Sequence, residues 1–243
     1  MLRKIYICIL VAAVTVSAMS GEELLKKMDV NRTWKTTSAT AKMEIHINDE
    51  VRVKTMEIKG MTEGNKSLVT FTNPEDEGTK YLMLDDNLWI YFPEENDVVK
   101  ISGHMLKEGM MGSDVSYEDA LESDELSEKY AVAITGEVTF EGKICYRLTL
   151  SAKTKKAPYY KRVMLVDKEK FVAWEEEMYA KSGKLLKKSK VLEVKKFGKR
   201  WYPVKSEMVN MLRKNSKTVF IIDTIKFDEA FDEKIFTMRN LRR

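Results

Sequence analysis

The feature that most constrains the fold is a strict alternation of apolar and polar residues early in the chain. The apolar side chains stand at every second position: Ala39, Ala41, Met43, Ile45 and Ile47. A period of two places alternate side chains on opposite faces of a β-strand, whereas a helix would repeat about every 3.6 residues. The segment is therefore predicted to be a strand with one dry face and one wet face.

Further strand-like runs follow along the chain, separated by short turns rich in Asp, Asn, Gly and Ser. They cover residues 51–58, 67–72, 80–84, 88–92, 98–101, 132–134, 137–140, 143–150, 162–166, 171–179, 185–195, 201–211 and 218–227. A change of apolar phase between Val53 and Met56 predicts a bulge near Lys54 or Thr55. Because hairpins need few connecting residues, the pattern predicts an antiparallel meander of about a dozen strands in one sheet.

Two segments are predicted to be helical. Residues 20–28 begin with Ser20 and carry Glu23 three residues later, which is the pattern of a capping box. Residues 104–126 interrupt the run of strands, and Ser116 is the expected N-cap of a short helix within them. Connections of this length are often functional, so this segment is predicted to be a lid or plug.

The first residues have the pattern of a secretory signal peptide. Arg3 and Lys4 precede an apolar run, and small residues that allow cleavage follow up to Ser20. The run is shorter than the roughly 20 residues of a membrane-spanning helix, so cleavage is favoured over an uncleaved anchor. The predicted division is a signal peptide at 1–20 and a single exported domain at 21–243.

Groups that carry out catalysis or bind metals are sparse in the sequence. The two histidines, His46 and His104, are not spaced as metal ligands with each other or with Cys145. Cys145 lies in a strand-like run and is predicted to be a buried, unreactive thiol. The sequence has no phosphate-binding loop and no hydrolase nucleophile motif. We therefore predict no catalytic residue, metal or cofactor, and the small net charge of +4 indicates no nucleic-acid partner.

Surplus apolar material is the main sign of a binding function. Met105, Met110 and Met111 lie in the predicted lid, and methionine adapts to partners of variable shape; the alternative is that these side chains fill an irregular core. A sheet of this many strands must curl, and a curled sheet that its own side chains do not fill encloses a cavity. Side-chain direction predicts one face with Leu82, Leu84, Leu88, Ile90 and Phe92, opposite a face with Tyr81, Met83, Trp89 and Tyr91.

Part of the predicted lid resembles a known family. Residues 109–119 read Gly-Met-Met-Gly-Ser-Asp-Val-Ser-Tyr-Glu-Asp. This stretch is similar to the G-S-D-F-S-Y-E-D motif of a branch of the outer-membrane lipoprotein-sorting protein family, with Val115 in place of the usual Phe. The ending at 231–237 also resembles the closing segment of that family. The resemblance extends over essentially the whole chain after the signal peptide.

The resemblance implies a mainly β fold, in which a strongly twisted antiparallel sheet forms a half-open barrel with a few helices as lid or plug. It implies a periplasmic carrier that binds lipid or lipoprotein acyl chains, for lipoprotein sorting or lipid transport. The expected partners are a lipid or acylated lipoprotein and an inner-membrane transporter, and the expected state is a monomer. The expected lipid-binding residues are Met83, Trp89, Tyr91, Met105, Leu106, Met110 and Met111, and the expected motif and lid residues are Gly112, Ser113, Asp114, Tyr117 and Glu118.

Three functions stay open from the sequence. A carrier predicts an apolar cavity, and a non-transporting sensor or accessory module of a lipid-exporting transporter predicts a filled one. A lipid hydrolase requires a nucleophile and a base within hydrogen-bond reach, with only two histidines to serve. The motif also has a purely structural interpretation, a capped turn in which Asp114 and Ser116 bind backbone amides and Tyr117 packs inward.

Overall fold

A computed structural model of the protein describes residues 19–63, 65–122, 126–155 and 157–242, so residues 1–18 of the predicted signal peptide lie outside the described residues. The strands are β1 Thr36–Ile47, β2 Glu50–Met61, β3 Lys66–Phe71, β4 Lys80–Leu84, β5 Asn87–Phe92, β6 Asp97–Ile101, β7 Tyr130–Phe140, β8 Lys143–Ala152, β9 Lys161–Asp167, β10 Ala173–Tyr179, β11 Leu185–Phe197, β12 Arg200–Asn210 and β13 Ser216–Phe227. The helices are α1 Gly21–Arg32, α2 Tyr117–Ala120, α3 Leu126–Lys129 and α4 Met238–Leu241. Across these residues, no helix combines the length and the apolar character that crossing a membrane requires.

The thirteen strands form one antiparallel sheet. Their order is β6-β5-β4-β3-β2-β1-β13-β12-β11-β10-β9-β8-β7. Every strand therefore lies beside its neighbour in the chain, except at the junction of β1 with β13 and across the long connection from β6 to β7. Over the described residues β6 and β7 are the two edges and are not paired with each other, so the barrel is half open. The predicted fold class is confirmed.

The predicted bulge in β2 is wrong. The β1–β2 pairing runs without interruption from Thr36 opposite Met61 to Ile47 opposite Glu50, and the irregularity lies instead between β1 and β13. The apolar phase changes because Val51 and Val53 are on the exposed face of β2. Lys54 takes the buried face, where its ammonium lies 3.0 Å from Glu75 and 2.6 Å from Asp76. A charged residue at a buried position therefore has the same sequence pattern as a bulge.

The two faces of β4 and β5 also differ from the prediction. The register places Leu82 opposite Trp89 and Tyr81 opposite Ile90. Since directly opposed residues share a face, Trp89 lies with Leu82, and Leu88 and Ile90 lie with Tyr81. The Leu82 face is the outer one and is covered by the C-terminal segment, in which Phe231, Ile235, Phe236 and Leu241 pack against Leu68, Leu82, Trp89 and Tyr91.

The inner face carries two separate apolar clusters. The first lies on β1 to β6 and includes the fully buried side chains of Met43, Ile45 and Leu88. The second joins α1 and α3 to β7, β8 and β9 and includes Leu24 and Leu148. Cys145 on β8 is fully buried, as predicted, and burial raises the pKa of its thiol.

The predicted capping box begins α1. The Ser20 hydroxyl accepts a hydrogen bond from the amide of Glu23 at 3.1 Å, and the Glu23 carboxylate accepts one from the amide of Ser20 at 2.8 Å. A Cβ atom on Gly21 would lie 2.9 Å from the backbone of Val132, so glycine allows the start of α1 to contact β7. Leu24, Leu25 and Met28 then face the sheet and are buried.

Replacing Ser20 with alanine is expected to lower the free energy of unfolding by about 1 kcal/mol in a chain that retains this residue, because α1 loses its N-cap. Urea denaturation followed by circular dichroism measures the change. Ser127→Ala, at an exposed position of α3, is the control and should leave stability within about 0.5 kcal/mol. An equal loss in both variants would contradict the capping role.

Candidate functional site

The predicted lid fills the first half of the barrel interior. Its helical turns at Gly103–Lys107 and Met110–Gly112, together with α2, lie over β1 to β6. The side chains that pack against the first inner cluster are Met105, Leu106, Met110, Met111, Tyr117 and Leu121. These methionines therefore serve as core, and the segment is a plug over this half of the sheet.

The Gly-Ser-Asp part of the motif fixes the plug to β13. The Asp114 carboxylate, 0% exposed, accepts hydrogen bonds from the hydroxyls of Ser216 at 2.7 Å and Thr218 at 3.2 Å. The Asp114 amide donates to the Thr218 hydroxyl at 2.9 Å. Gly112 precedes this contact with a φ of 76°, a conformation that glycine adopts without strain. Asp114 therefore binds side-chain hydroxyls, and its predicted contact with backbone amides is wrong.

The second part of the motif forms α2 and contacts β11. Ser116 caps α2 by accepting from the amide of Asp119, as predicted, and Tyr117 packs inward, 6.0 Å between ring centroids from Tyr81. The ammonium of Lys187 donates to the Ser116 hydroxyl at 2.9 Å and forms an ion pair with Asp119. Burial alone would raise the pKa of Asp119, but the charge of Lys187 and the hydrogen bonds to its carboxylate lower it below its usual value.

A second ionic contact follows α2. Arg162, on β9 and only 5% exposed, lies between Glu122, which follows α2, and Glu176 on β10, and forms ion pairs with both. Burial raises the pKa of Glu122, and the charge of Arg162 offsets this only in part. The plug segment thus contacts three strands of the sheet. Asp114 binds β13, Asp119 binds Lys187 of β11, and Glu122 binds Arg162 of β9.

A cavity of about 300 Å³ lies under α1 and α2, over β9 to β13. This volume is at the lower end of the range of small-molecule sites, which runs from about 300 to 1,000 Å³. Its apolar lining comes from Met28, Val115, Leu126, Met164, Phe171, Val172, Ala173, Met178, Val191, Trp201, Pro203, Met208 and Phe220. Four of these are methionines, whose flexible side chains adapt to occupants of variable shape.

The cavity has buried ion pairs at one end and a mainly apolar lining at the other. Opposed residues form rows across the sheet, and the row at the end near α2 contains Arg162, Met178 and Lys187. The next row contains Met164, Glu176, Ser189, Met208 and Thr218, and the third contains Val191, Ser206 and Phe220. Beyond these rows Met28 of α1, Phe171 and Trp201 line the other end, together with Asn31 and the exposed Arg32. Lys190 and Glu207, which are opposed on β11 and β12, line the cavity between the second and third rows. Asn31 holds α1 over this end, because its amide donates to the carbonyl of Lys170 at 2.6 Å and accepts from the amide of Trp201 at 3.0 Å.

The seven expected lipid-binding residues do not line this cavity. Met83, Met105, Leu106, Met110 and Met111 belong to the packed first half of the barrel. Trp89 and Tyr91 lie on the outer face under the C-terminal segment. Among the motif and lid residues, Gly112, Ser113, Asp114 and Tyr117 hold the plug in place, and Glu118 is a half-buried residue of α2. Val115 between them reaches the cavity.

Two charged cavity residues that were not predicted from the sequence, Arg162 and Glu176, could have been found from the alternation of their strands. Arg162 shares its strand phase with Met164 and Val166, which are buried. Glu176 likewise shares its phase with Trp174 and Met178. A charged residue in the buried phase of a strand must find a partner, because an isolated buried charge is costly. Such residues therefore indicate an inward-facing ionic contact.

The fold is that of outer-membrane lipoprotein-sorting proteins. A DUF1329 family protein from Desulfovibrio piger superimposes with a TM-score of 0.85 at 27% identity, over 91% of this chain and 97% of that chain. A putative outer membrane lipoprotein-sorting protein domain from Vibrio parahaemolyticus gives 0.83 at 25% identity, over 92% and 98%. A LolA superfamily protein from Nitrosomonas europaea gives 0.76 at 19% identity, over 92% and 100%.

A family model described as an uncharacterized protein matches residues 63–243, well over half of the chain. The chain belongs to that family. No curated protein sequence matches the chain. The predicted resemblance to lipoprotein-sorting proteins is confirmed at the level of structure.

Proposed function

We propose that the protein is a periplasmic carrier that binds the acyl chain of a lipid or lipoprotein in the cavity over β9 to β13, and that it is not an enzyme. The observation that carries this proposal is a cavity of about 300 Å³ with a mainly apolar lining in a half-open barrel. The signal-peptide pattern of residues 1–20 supports export. The likeness to the lipoprotein-sorting protein domain from Vibrio parahaemolyticus supports this class of ligand.

Acyl-chain binding needs only the apolar lining. Each methylene that leaves water contributes about 0.8 kcal/mol, so ten methylenes would contribute about 8 kcal/mol before the cost of ordering the chain. We expect a monomer that receives its cargo from an inner-membrane transporter and releases it when the plug moves.

One observation favours a second function, a non-transporting sensor or accessory module. The half of the interior over β1 to β6 is filled by the plug, as that function predicts. Native mass spectrometry of protein purified from a periplasm without detergent, followed by organic extraction, separates the two. A bound lipid or acylated peptide at one copy per chain supports the carrier, whereas a clean mass without ligand favours the sensor.

Replacing Ser206 with tryptophan is expected to weaken binding of the neutral apolar probe N-phenylnaphthylamine by at least about tenfold, because the indole would occupy the middle of the cavity. Fluorescence titration measures the affinity. Ser182→Trp adds the same side chain at an exposed turn and should leave the affinity unchanged. A folded Ser206→Trp variant that binds the probe like the unaltered protein would place the binding site elsewhere.

A further inference from the structure

The polar end of the cavity constrains the head of the ligand. Arg162 and Glu122 both line the cavity, and their side chains are 7% and 11% exposed. Within the part of the chain that the structure describes, Arg162 Nη1 and Glu122 Oε1 are buried atoms that make no hydrogen bond. Arg162 Nη1 is in contact with Glu122 Oε2 in an ion pair, without the geometry of a hydrogen bond, whereas Glu122 Oε1 has no partner among the described residues. Buried polar atoms of this kind are costly unless a ligand or water satisfies them.

The charged side chains at this end already pair with one another. Arg162 contacts Glu176 as well as Glu122, and Lys187 contacts Asp119. Two cations therefore face three carboxyl groups, and each cation already has an acidic partner. An anionic head would meet these carboxylates, and a cationic head would compete with Arg162 for them. The first would place like charges together at a buried site, and the second would leave the buried Arg162 guanidinium without one of its carboxylates.

We propose that the polar end holds the uncharged head of a single-chain lipid, an ester, hydroxyl or amide that accepts a hydrogen bond from Arg162 and forms one with Glu122. The tail then lies along Met164, Met208 and Phe220 toward the apolar end under α1. A volume near the lower limit for ligand sites suits one chain. This assignment rests on the proposed function, since it names the class of lipid that the same cavity takes.

The test compares three ligands with the same saturated tail and different heads. Monopalmitoylglycerol is uncharged, hexadecyl phosphate is anionic and hexadecylammonium is cationic. Each is titrated against the full exported chain loaded with N-phenylnaphthylamine, and displacement of the probe gives the affinity. We expect monopalmitoylglycerol to bind at least about tenfold more tightly than either charged ligand.

The substitution Glu122→Gln tests whether the Glu122 carboxyl group selects the head of the ligand. This variant keeps a hydrogen-bonding head of the same size and removes the negative charge, so affinity for hexadecyl phosphate should rise by about tenfold. Affinity for monopalmitoylglycerol should stay within about threefold. Glu57→Gln removes the same charge from an exposed position of β2 and should change neither value.

The outcomes separate this inference from the proposed function. If hexadecyl phosphate binds as tightly as monopalmitoylglycerol, or if Glu122→Gln and Glu57→Gln behave alike, the head assignment is wrong while lipid binding stands. If neither the probe nor any of the three ligands binds the folded protein, the carrier function itself is wrong.

Discussion

Replacing Lys187 with methionine is expected to lower the free energy of unfolding by about 3–5 kcal/mol, the typical cost of removing one partner of a buried ion pair. Methionine has a similar length but leaves the Asp119 carboxylate, 9% exposed, without its cation. The hydroxyls of Ser116 and Tyr159 remain as hydrogen-bond partners of Asp119 but carry no charge to balance it. Urea denaturation at neutral pH measures the loss.

Lys188→Met is the matched control for this substitution. Lys188 is the next residue on β11, its side chain is 37% exposed, and it lies 3.1 Å from Glu175 and 3.7 Å from Glu177. Exposed ion pairs contribute about 0–1 kcal/mol, so the control should lose no more than that. Similar losses in the two variants would show that the Lys187–Asp119 pair does not stabilise the fold.

The cost of Lys187→Met should also depend on pH. In the unaltered protein the pKa of Asp119 is lowered, so its pair contributes stability above the unfolded pKa of about 3.9 and loses it as pH falls through the folded value. Without Lys187, burial would instead raise the pKa of Asp119. Asp119 of the variant would then be protonated already above the unfolded pKa. The difference in stability between the two proteins should therefore begin to shrink above about pH 4 and continue to shrink as pH falls toward the lowered pKa of the unaltered protein.

Replacing Asp114 with alanine is the second change with a large expected effect, about 3 kcal/mol of lost stability. Hydrogen bonds to a charged group contribute about 1.5–3 kcal/mol each, and the substitution removes those from Ser216 and Thr218. It also removes the carboxylate that lies 3.6 Å from Arg213, whose guanidinium donates to the carbonyls of Gly112 and Ser113.

Hydrogen exchange shows whether the plug is the part that loosens. Amides of residues 109–121 should exchange faster in Asp114→Ala, whereas amides of β7 to β9 should exchange as before. Asp86→Ala, in an exposed turn between β4 and β5, should change neither stability nor exchange. Uniformly faster exchange throughout the sheet would mean that Asp114 supports the whole fold and not the docking of the plug.

Features that repeat locally were predictable from the sequence. The alternation in β1 fixed a strand with one buried face, and the spacing of turns fixed an antiparallel meander. Ser20 with Glu23 predicted the start of α1, because a capping box involves residues only three positions apart. The position of the plug was also predictable, since a long connection between strands has to lie over the sheet or away from it.

Features that depend on distant residues were decided only by the tertiary structure. The sequence pattern predicts a bulge near Lys54, whereas in the structure Lys54 is a regular strand residue that pairs with the acidic turn after β3. Trp89 and Tyr91 were assigned to the interior, but the C-terminal segment covers the outer face of β4 and β5 and buries them there. Periodicity separates the two faces of a strand but does not say which face is inside, because that depends on what packs against it.

The functional site also divides into features that the sequence predicted and features that only the tertiary structure decided. The sequence predicted an antiparallel sheet with a lid segment and few catalytic groups, and the family resemblance implied a half-open barrel. The tertiary structure decided that the lid fills one half of the interior and leaves the cavity in the other. Asp119 and Lys187 are 68 positions apart, and Glu122 and Arg162 also belong to distant elements. Such pairs form only when the sheet has curled, since the energy that favours them comes from burial and charge at one point in space.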